Sequence, residues 1–325
     1  MKLELYESLS TNPYENLGAE AYLLETCPDD TLRFYLWQNA HTVVIGKNQH
    51  APSEVHVDAL KNDAGTLARR SSGGGAVYHD LGNLNFTFIA PTGLFDIQKQ
   101  MEMIALALRH AGVNAQVNGR NDIEIDGAKV SGNAFAHKED RHLHHGTLLV
   151  NVDKMALAKY LNVNPKKLKR KNVTSVASRI VNLRELIDID IRRLKALLFA
   201  SAEEYTGTPG TRMAFPNEEA RSHMTRYASQ DWLFPAAAKE NLVFEESFDF
   251  GLIKWFFETS EGHIVKNSLW SDAMDTQWIE ALERHLIGTE GHERAIAQRL
   301  RSFKDDAHTS DLNQIIASFE ALAKP

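Results

Sequence analysis

Three consecutive glycines, Gly73-Gly74-Gly75, interrupt strand-like sequence between Arg69 and Phe88 and constrain the fold more than any other stretch. Without Cβ atoms the backbone can turn tightly, take positive φ and aim several N–H groups into one concave space, which suits an anion. Arg69 and Arg70 stand just before the run and His79-Asp80 just after, so charge converges from both flanks. An ordinary glycine-rich hairpin turn is the plainer reading of the same residues.

A chain of 325 residues exceeds the usual span of one hydrophobic core, so two domains are expected. Its net charge of −7 weighs against a nucleic-acid binder that works by neutralising phosphates. The single cysteine, Cys27, excludes an intrachain disulfide and a zinc knuckle. No apolar run approaches the ~20 residues of a membrane span, and Met1-Lys2-Leu3-Glu4-Leu5 lacks the pattern of a signal peptide. The reducing cytoplasm is the expected location, with no membrane contact.

Thr11-Asn12-Pro13 reads as a helix start, and Tyr14, Leu17, Ala21 and Leu24 then recur on one face. Strands follow at 32–37 and 42–45, a short helix around 54–63, and strands at about 67–70, 76–79 and 83–89. Ile97, Met101, Ile104 and Leu108 define a core-facing helix that stops near Gly112. Asp126-Gly127, between Ile123-Glu124-Ile125 and Lys129-Val130, is a strong two-residue hairpin signal. Thr147–Val150 reads as another strand, and helical patterns run from there to about residue 230. Strands before helices argue for an α+β fold over a doubly wound parallel sheet. Patterning weakens over 235–248; beyond it come strands at 252–259 and 263–270, joined at Glu261-Gly262, then three helices. The expected division is a catalytic or binding domain over 1–240 and a smaller α+β domain over 248–325.

Three polar clusters accompany the glycine run. In Gly119-Arg120-Asn121-Asp122 the carboxylate offers one hard oxygen ligand for Mg²⁺, which prefers one or two carboxylates plus phosphate oxygens; a loop Asx turn is the alternative. Lys129, ahead of Val130-Ser131-Gly132, can reach an anion as a point charge or simply be a solvated lysine. His142, His144 and His145 invite a metal reading, but strand alternation would scatter them, and a polar loop wall is preferred. A fourth feature, the basic run Lys166, Lys167, Lys169, Arg170 and Lys171, is either a solvated helix face or a surface that steers an acidic partner. Standard phosphate-loop, dinucleotide, nucleophile-elbow and zinc-protease motifs are absent.

In this order and spacing the glycine run, Asn121-Asp122, Lys129-Val130-Ser131-Gly132 and His144-His145-Gly146-Thr147 resemble the lipoate–protein ligases of the wider biotin/lipoate ligase superfamily. Asn12-Pro13-Tyr14 with Asn16-Leu17, Val44-Ile45-Gly46-Lys47-Asn48-Gln49, Thr174-Ser175-Val176, and Ser178-Arg179-Ile180 with Asn182-Leu183 extend the resemblance, which covers about residues 1–240 well and the tail more loosely. It implies a mixed, largely antiparallel sheet flanked by helices, as in class II synthetases and biotin ligases, with a small C-terminal α+β domain. It also implies two-step chemistry: lipoate attacks ATP to give lipoyl-AMP and pyrophosphate, and a carrier lysine then takes the lipoyl group.

By the same resemblance Arg70, Gly75, Ala76, Val77, Tyr78 and Lys129 bind ATP, and Lys129 is the catalytic cation. Lys129, Arg70, Ser72, Gly73, Gly74, His79, His145 and Thr147 bind lipoate, with Val77 and Leu149 as apolar lining. Asp122 holds Mg²⁺ with Asn121 in support. The implied partners are lipoyl domains of 2-oxo acid dehydrogenase acyltransferase subunits and the glycine-cleavage H protein. A monomer is expected, with the tail as a mobile cap. Two competing functions stay open. One is an ATP-independent octanoyl or lipoyl transferase, which resembles this family but uses a cysteine that the Asn121–Lys129 region lacks; the other is a non-catalytic lipoyl-binding protein. Biotin ligase fits less well, because its Gly-Arg-Gly-Arg-type loop is replaced here by Ser-Gly-Gly-Gly.

Overall fold

The alternating segments of the first half of the chain close into one large sheet. The computed structural model describes residues 1–118, 122–162, 180–236 and 242–323. Its strands are β1 (Lys2–Glu7), β2 (Thr31–Trp37), β3 (Thr42–Ile45), β4 (Thr66–Arg69), β5 (Val77–His79), β6 (Asn83–Pro91), β7 (Ala115–Asn118), β8 (Asp122–Ile125), β9 (Ala128–Lys138), β10 (Arg141–Leu149), β11 (Gly210–Arg212), β12 (Leu242–Phe248), β13 (Gly251–Ser260) and β14 (His263–Ser271). The helices are α1 (Pro13–Glu25), α2 (Ala51–Glu54), α3 (Val57–Asn62), α4 (Ile97–His110), α5 (Lys154–Tyr160), α6 (Ile191–Thr206), α7 (Arg221–Ala228), α8 (Gln230–Leu233), α9 (Thr276–His285), α10 (Glu293–Arg301) and α11 (Thr309–Leu322).

The large sheet has the order β11-β1-β2-β6-β10-β9-β8-β7, parallel where β1 meets β2 and β11 and antiparallel elsewhere. Period-2 alternation sorts its residues. Phe34, Phe86, Phe88 and Leu148 point to one face, in a core shared with Met101, Ile104 and Leu108 of α4 and Leu194 and Leu198 of α6. Tyr35, Trp37, Ile89 and Leu143 point to the other, against Leu17 and Leu23 of α1 and Tyr227 of α7. A second, small sheet, β4-β3-β5, packs with α2, α3 and α5 through Val43, Ile45, Leu60 and Leu157. The tail forms its own core around Trp255, Phe257 and Phe319, with β12-β13-β14 backed by α9, α10 and α11. The fold is thus the expected α+β class, with a mixed, largely antiparallel sheet and a C-terminal sheet-and-helix domain.

Local signals act as their chemistry requires. Asn12 caps α1 by accepting from Tyr14 N–H, with Pro13 in the first turn. Asp126 and Gly127 both take positive φ, 51° and 80°, as the tight β8–β9 hairpin demands.

The structure departs from the sequence reading at several points. The glycine run joins two strands as expected but is not the hairpin turn of the plainer alternative: β4 and β5 lie on opposite sides of β3, so the loop crosses the C-terminal end of β3. The histidine run is not a loop wall, because β10 begins at Arg141 and carries all three rings within the sheet. The strands β1 and β11 are additional, held by parallel pairing between residues some 200 positions apart, which local pattern does not reveal. Finally β12, in the stretch read as weakly patterned, pairs along its length with β13. Asn121, the basic run 166–171 and the segment 174–179 lie outside the described residues.

Candidate active site

Both arginines before the glycines are buried and hold backbone together. Arg69 donates to the carbonyls of Gly46, Lys47 and Gln49 and to those of Trp232 and Leu233, tying the end of β3 to α8. Arg70 donates to Ser72 Oγ and to the carbonyls of Gly73, Gly75 and Val44, so its guanidinium shapes the loop from inside. Burial lowers its pKa to about 10, still far above neutrality. The converging charge expected of these residues therefore lies beneath the loop.

Of the three glycines, Gly74 alone has positive φ, 86°. Gly73 is required by close approach instead: a Cβ there would lie 2.4 Å from the carbonyl oxygens of Ala273 and Met274, in the tail. Gly74 N–H donates to Ala273 O at 3.3 Å, and Ser271 N–H to Asn48 O at 2.7 Å. A Cβ on Gly75 would meet nothing within 4 Å, so this part of the loop is open. The tail thus sits on one side of the loop and leaves the other side free.

From Ser72 a hydrogen-bonded chain runs into the protein. Ser72 Oγ lies 2.7 Å from His145 Nε2, and His145 Nδ1 lies 2.9 Å from Glu20 Oε1 on α1. The same Glu20 oxygen accepts from Thr87 Oγ1, which accepts in turn from Trp37 Nε1. Ser72 Oγ, which also accepts from Arg70 Nε, has both a proton to give to Nε2 and a second lone pair to accept from it, and His145 Nδ1 meets the carboxylate. A parallel chain runs Tyr35 to Asn16 to Asn39 to His79. Burial holds the His79 ring near a pKa of about 3, with the charge of Arg70 adding to the effect, so it is neutral.

Lys129 sits at the end of the same sheet face. A register shift between β8 and β9 pairs Ile123 with Ser131 but Glu124 with Lys129, leaving Val130 as a bulge. The bulge buries Val130 in the main core and turns Lys129 to the side of Gly132. A Cβ on Gly132 would lie 3.2 Å from Lys129 Cε and Nζ and 4.0 Å from Thr147 Oγ1, so the lysine lies across this glycine, beside Thr147. Its Nζ donates to Asp122 Oδ1 at 2.6 Å.

The expected site residues thus fall into two groups. Ser72, His79, His145 and Thr147 share one face of the sheet with Lys129 and Asp122 at its end. Val77 packs with the aromatic cluster beneath α1, whereas Leu149 packs with α5 and the small sheet, so the two do not line one wall. His144 points to the opposite face, between Gln100 and Asn133, and His142 bonds Thr92. Among the described residues no three His, Cys, Asp or Glu side chains are grouped to hold a metal. Sequence reasoning does not find Glu20, Asn39 and Thr87, and it names Asn16 only as part of the resemblance. The one available signal is that Asn16 and Glu20 stand four apart on the stripe of α1 that also carries Leu17, Leu23 and Leu24.

The fold and this site define a class before any particular relative is considered: an α+β enzyme-like domain with a glycine loop, a partnered lysine and an appended sheet-and-helix domain. The chain matches the family described as Lipoyl protein ligase A/B catalytic domain over residues 12–203, and that described as Bacterial lipoate protein ligase C-terminus over residues 238–319. It is 37% identical over 298 residues to Lipoate-protein ligase A of Psychrobacter cryohalolentis, covering 88% of each chain. The crystal structure of P. falciparum LipL1 in complex with lipoate superposes with a TM-score of 0.85 at 27% identity, over 97% of this chain and 98% of that one. A lipoate-protein ligase A bound with ATP matches at 0.61 and 26% identity, over 72% and 98%. The bipartite archaeal ligase of Thermoplasma acidophilum, described with its E2 lipoyl domain, matches at 0.63 and 27%, over 74% and 100%. The chain belongs to the lipoate–protein ligase family and is an enzyme of the ligase class.

Proposed function

We propose that the protein activates lipoate with ATP to lipoyl-AMP, releasing pyrophosphate, and then transfers the lipoyl group to a lysine of a lipoyl-carrier domain. The observation that carries this reading is Lys129 Nζ, turned by a bulge onto the sheet face that the glycine loop overlies through Ser72 and His145. A relative bound with ATP and another in complex with lipoate support both substrates.

In the first step a lipoate carboxylate oxygen attacks the α-phosphorus and pyrophosphate leaves. Lys129 offsets the negative charge that builds on the phosphoryl oxygens and stays against the mixed anhydride. The open edge of the loop at Gly75, with Ala76, Val77 and Tyr78, presents backbone to the nucleotide. Arg70 acts from below, by holding the loop carbonyls inward. Gly73 and Gly74 let the loop lie close to the tail, and Ser72, His79, His145 and Thr147 line the acyl side. In the second step the carrier's ε-amine attacks the acyl carbon and AMP leaves, so no enzyme nucleophile is needed.

Asp122 is one carboxylate beside Lys129 at the mouth of this face, which fits Mg²⁺ when phosphate oxygens complete the set; Asn121 is the supporting residue. Bound there, the ion neutralises phosphate charge. The lipoyl domains of 2-oxo acid dehydrogenases and the glycine-cleavage H protein are the carriers proposed, in line with the archaeal ligase described with its E2 lipoyl domain. We assign residues up to about 240 to catalysis and the tail from β12 onward to a cap, in a monomer that works in the cytoplasm. Cys27 is buried, with its pKa pushed up to about 11, and no helix among the described residues is long and apolar enough to cross a membrane.

Mass spectrometry of an apo lipoyl domain incubated with enzyme, lipoate and ATP tests the reading. One lipoyl group on one lysine, dependent on both small molecules, is expected; lipoylation that ignores ATP would favour the transferase.

A further inference from the structure

Lys47 borders the glycine loop and is held from the tail. Val43 pairs with Tyr78 and Val44 with Val77 in antiparallel register, and the same register carried along the strands sets Gly46 level with Gly75. The close approach agrees: a Cβ on Gly46 would run into Gly74 O, and Lys47 N–H donates to Ser72 O at 2.8 Å. Lys47 therefore leaves the end of β3 beside the stretch of loop that stays open at Gly75. Its ammonium crosses to the tail, where Glu280 Oε1 of α9 meets it at 2.5 Å.

The other cations of this region are already committed within the catalytic domain. Arg69 and Arg70 are buried and donate to carbonyls, and Lys129 pairs with Asp122. Lys47 differs in both respects. Its side chain is 29% exposed and that of Glu280 33%, and its ammonium has no other partner among the described residues. An ion pair this exposed contributes at most roughly 5-fold to an equilibrium constant. The backbone beneath it is fixed: Lys47 O accepts from Arg69, and Asn48 bonds the tail at Ser271 N–H and Thr276 O. The flexible four-carbon stem is what can move, and a phosphate group outbids a single carboxylate for a compact ammonium because it carries more charge and more acceptor oxygens.

We propose that Lys47 is a second phosphate-binding cation of the site, masked by the tail. Glu280 occupies its ammonium while the tail is docked, and phosphate oxygens of ATP lying along the open edge of the loop take it over. The pair is then an autoinhibitory contact across the two domains. Linkage makes it reciprocal, so nucleotide loosens this contact by the factor by which the contact weakens nucleotide. The inference rests on the ATP reading of the site and deepens it.

Titration calorimetry of the full chain with α,β-methylene-ATP and Mg²⁺ tests the exchange, since the bridge of this analogue is not cleaved. Lys47→Met is expected to weaken binding roughly 10- to 100-fold, the range of a hydrogen bond to a charged group. Glu280→Gln is expected to tighten it roughly 2- to 5-fold, the release of an exposed pair. A gain of affinity cannot come from misfolding. In the double variant the gain is expected to vanish, because there is no ammonium left to release. Unchanged binding in Lys47→Met, or no tightening in Glu280→Gln, would overturn the inference while leaving nucleotide use standing. A full gain in the double variant would also overturn it, because Glu280 would then repel the nucleotide directly. Absence of analogue binding in the wild type would instead overturn the ATP reading.

Discussion

Gly73→Ala separates the two reasons a glycine can be needed in this loop. The added methyl would sit 2.4 Å from two backbone oxygens, those of Ala273 and Met274, where ordinary contact begins near 3.4 Å. Neither oxygen is the end of a flexible side chain, so the tail segment must withdraw by about 1 Å, and the Gly74 to Ala273 bond goes with it. Overpacking of this kind costs about 1–3 kcal/mol. Gly75→Ala is the internal control, because its methyl meets nothing within 4 Å. Urea unfolding followed by tryptophan fluorescence should show the loss for Gly73→Ala and a change within about 0.5 kcal/mol for Gly75→Ala. Hydrogen exchange should rise in 271–276 for the first variant only. Equal stability of the two variants would refute the argument that the tail, and not the loop's own conformation, requires Gly73.

His79 and His144 each have a pKa lowered from 6.5 to about 3 by burial, so the unfolded chain binds protons that the native protein refuses. Stability is therefore full above pH 6.5 and falls as pH drops, by about 1.4 kcal/mol per histidine at pH 5.5; His144→Gln should remove about half of that loss in denaturant titrations at pH 7.5 and 5.5. Ser72→Ala takes away the hydrogen-bond partner of buried His145 Nε2 and should cost about 1–3 kcal/mol in stability and weaken lipoate binding. Intact mass spectrometry of quenched wild-type reactions should show no acyl-Ser72, since Arg70 already holds Ser72 Oγ and the residue is fully buried. Asp122→Asn should shift the Mg²⁺ dependence of lipoyl-AMP formation to higher concentration; superimposed titration curves would leave Asp122 as a partner of Lys129 alone.

Sequence made β2, β3, β6, β13 and β14, the capped helix α1 and the Asp126-Gly127 turn legible because each depends on neighbours a few residues away. It did not show which face Lys129 takes, since the bulge at Val130 is a property of how β8 pairs with β9. Nor did it reveal the Glu20–His145–Ser72 chain, whose members lie 125 and 73 positions apart. A carboxylate inside an apolar helix stripe reads as an irregularity until the histidine that meets it is known. The arginines illustrate the converse. Their position before the glycines was plain, yet their task, holding carbonyls beneath the loop, depends on how β3, α8 and the loop come together.

Lipoate-dependent exchange of labelled pyrophosphate into ATP tests the central claim most directly, because only a reversible adenylate step produces it. The wild-type protein should exchange label when lipoate and Mg²⁺ are present, and Lys129→Leu, folded as judged by circular dichroism, should not. Absence of lipoate-stimulated exchange in the wild type, or near-normal exchange in Lys129→Leu, would contradict the account.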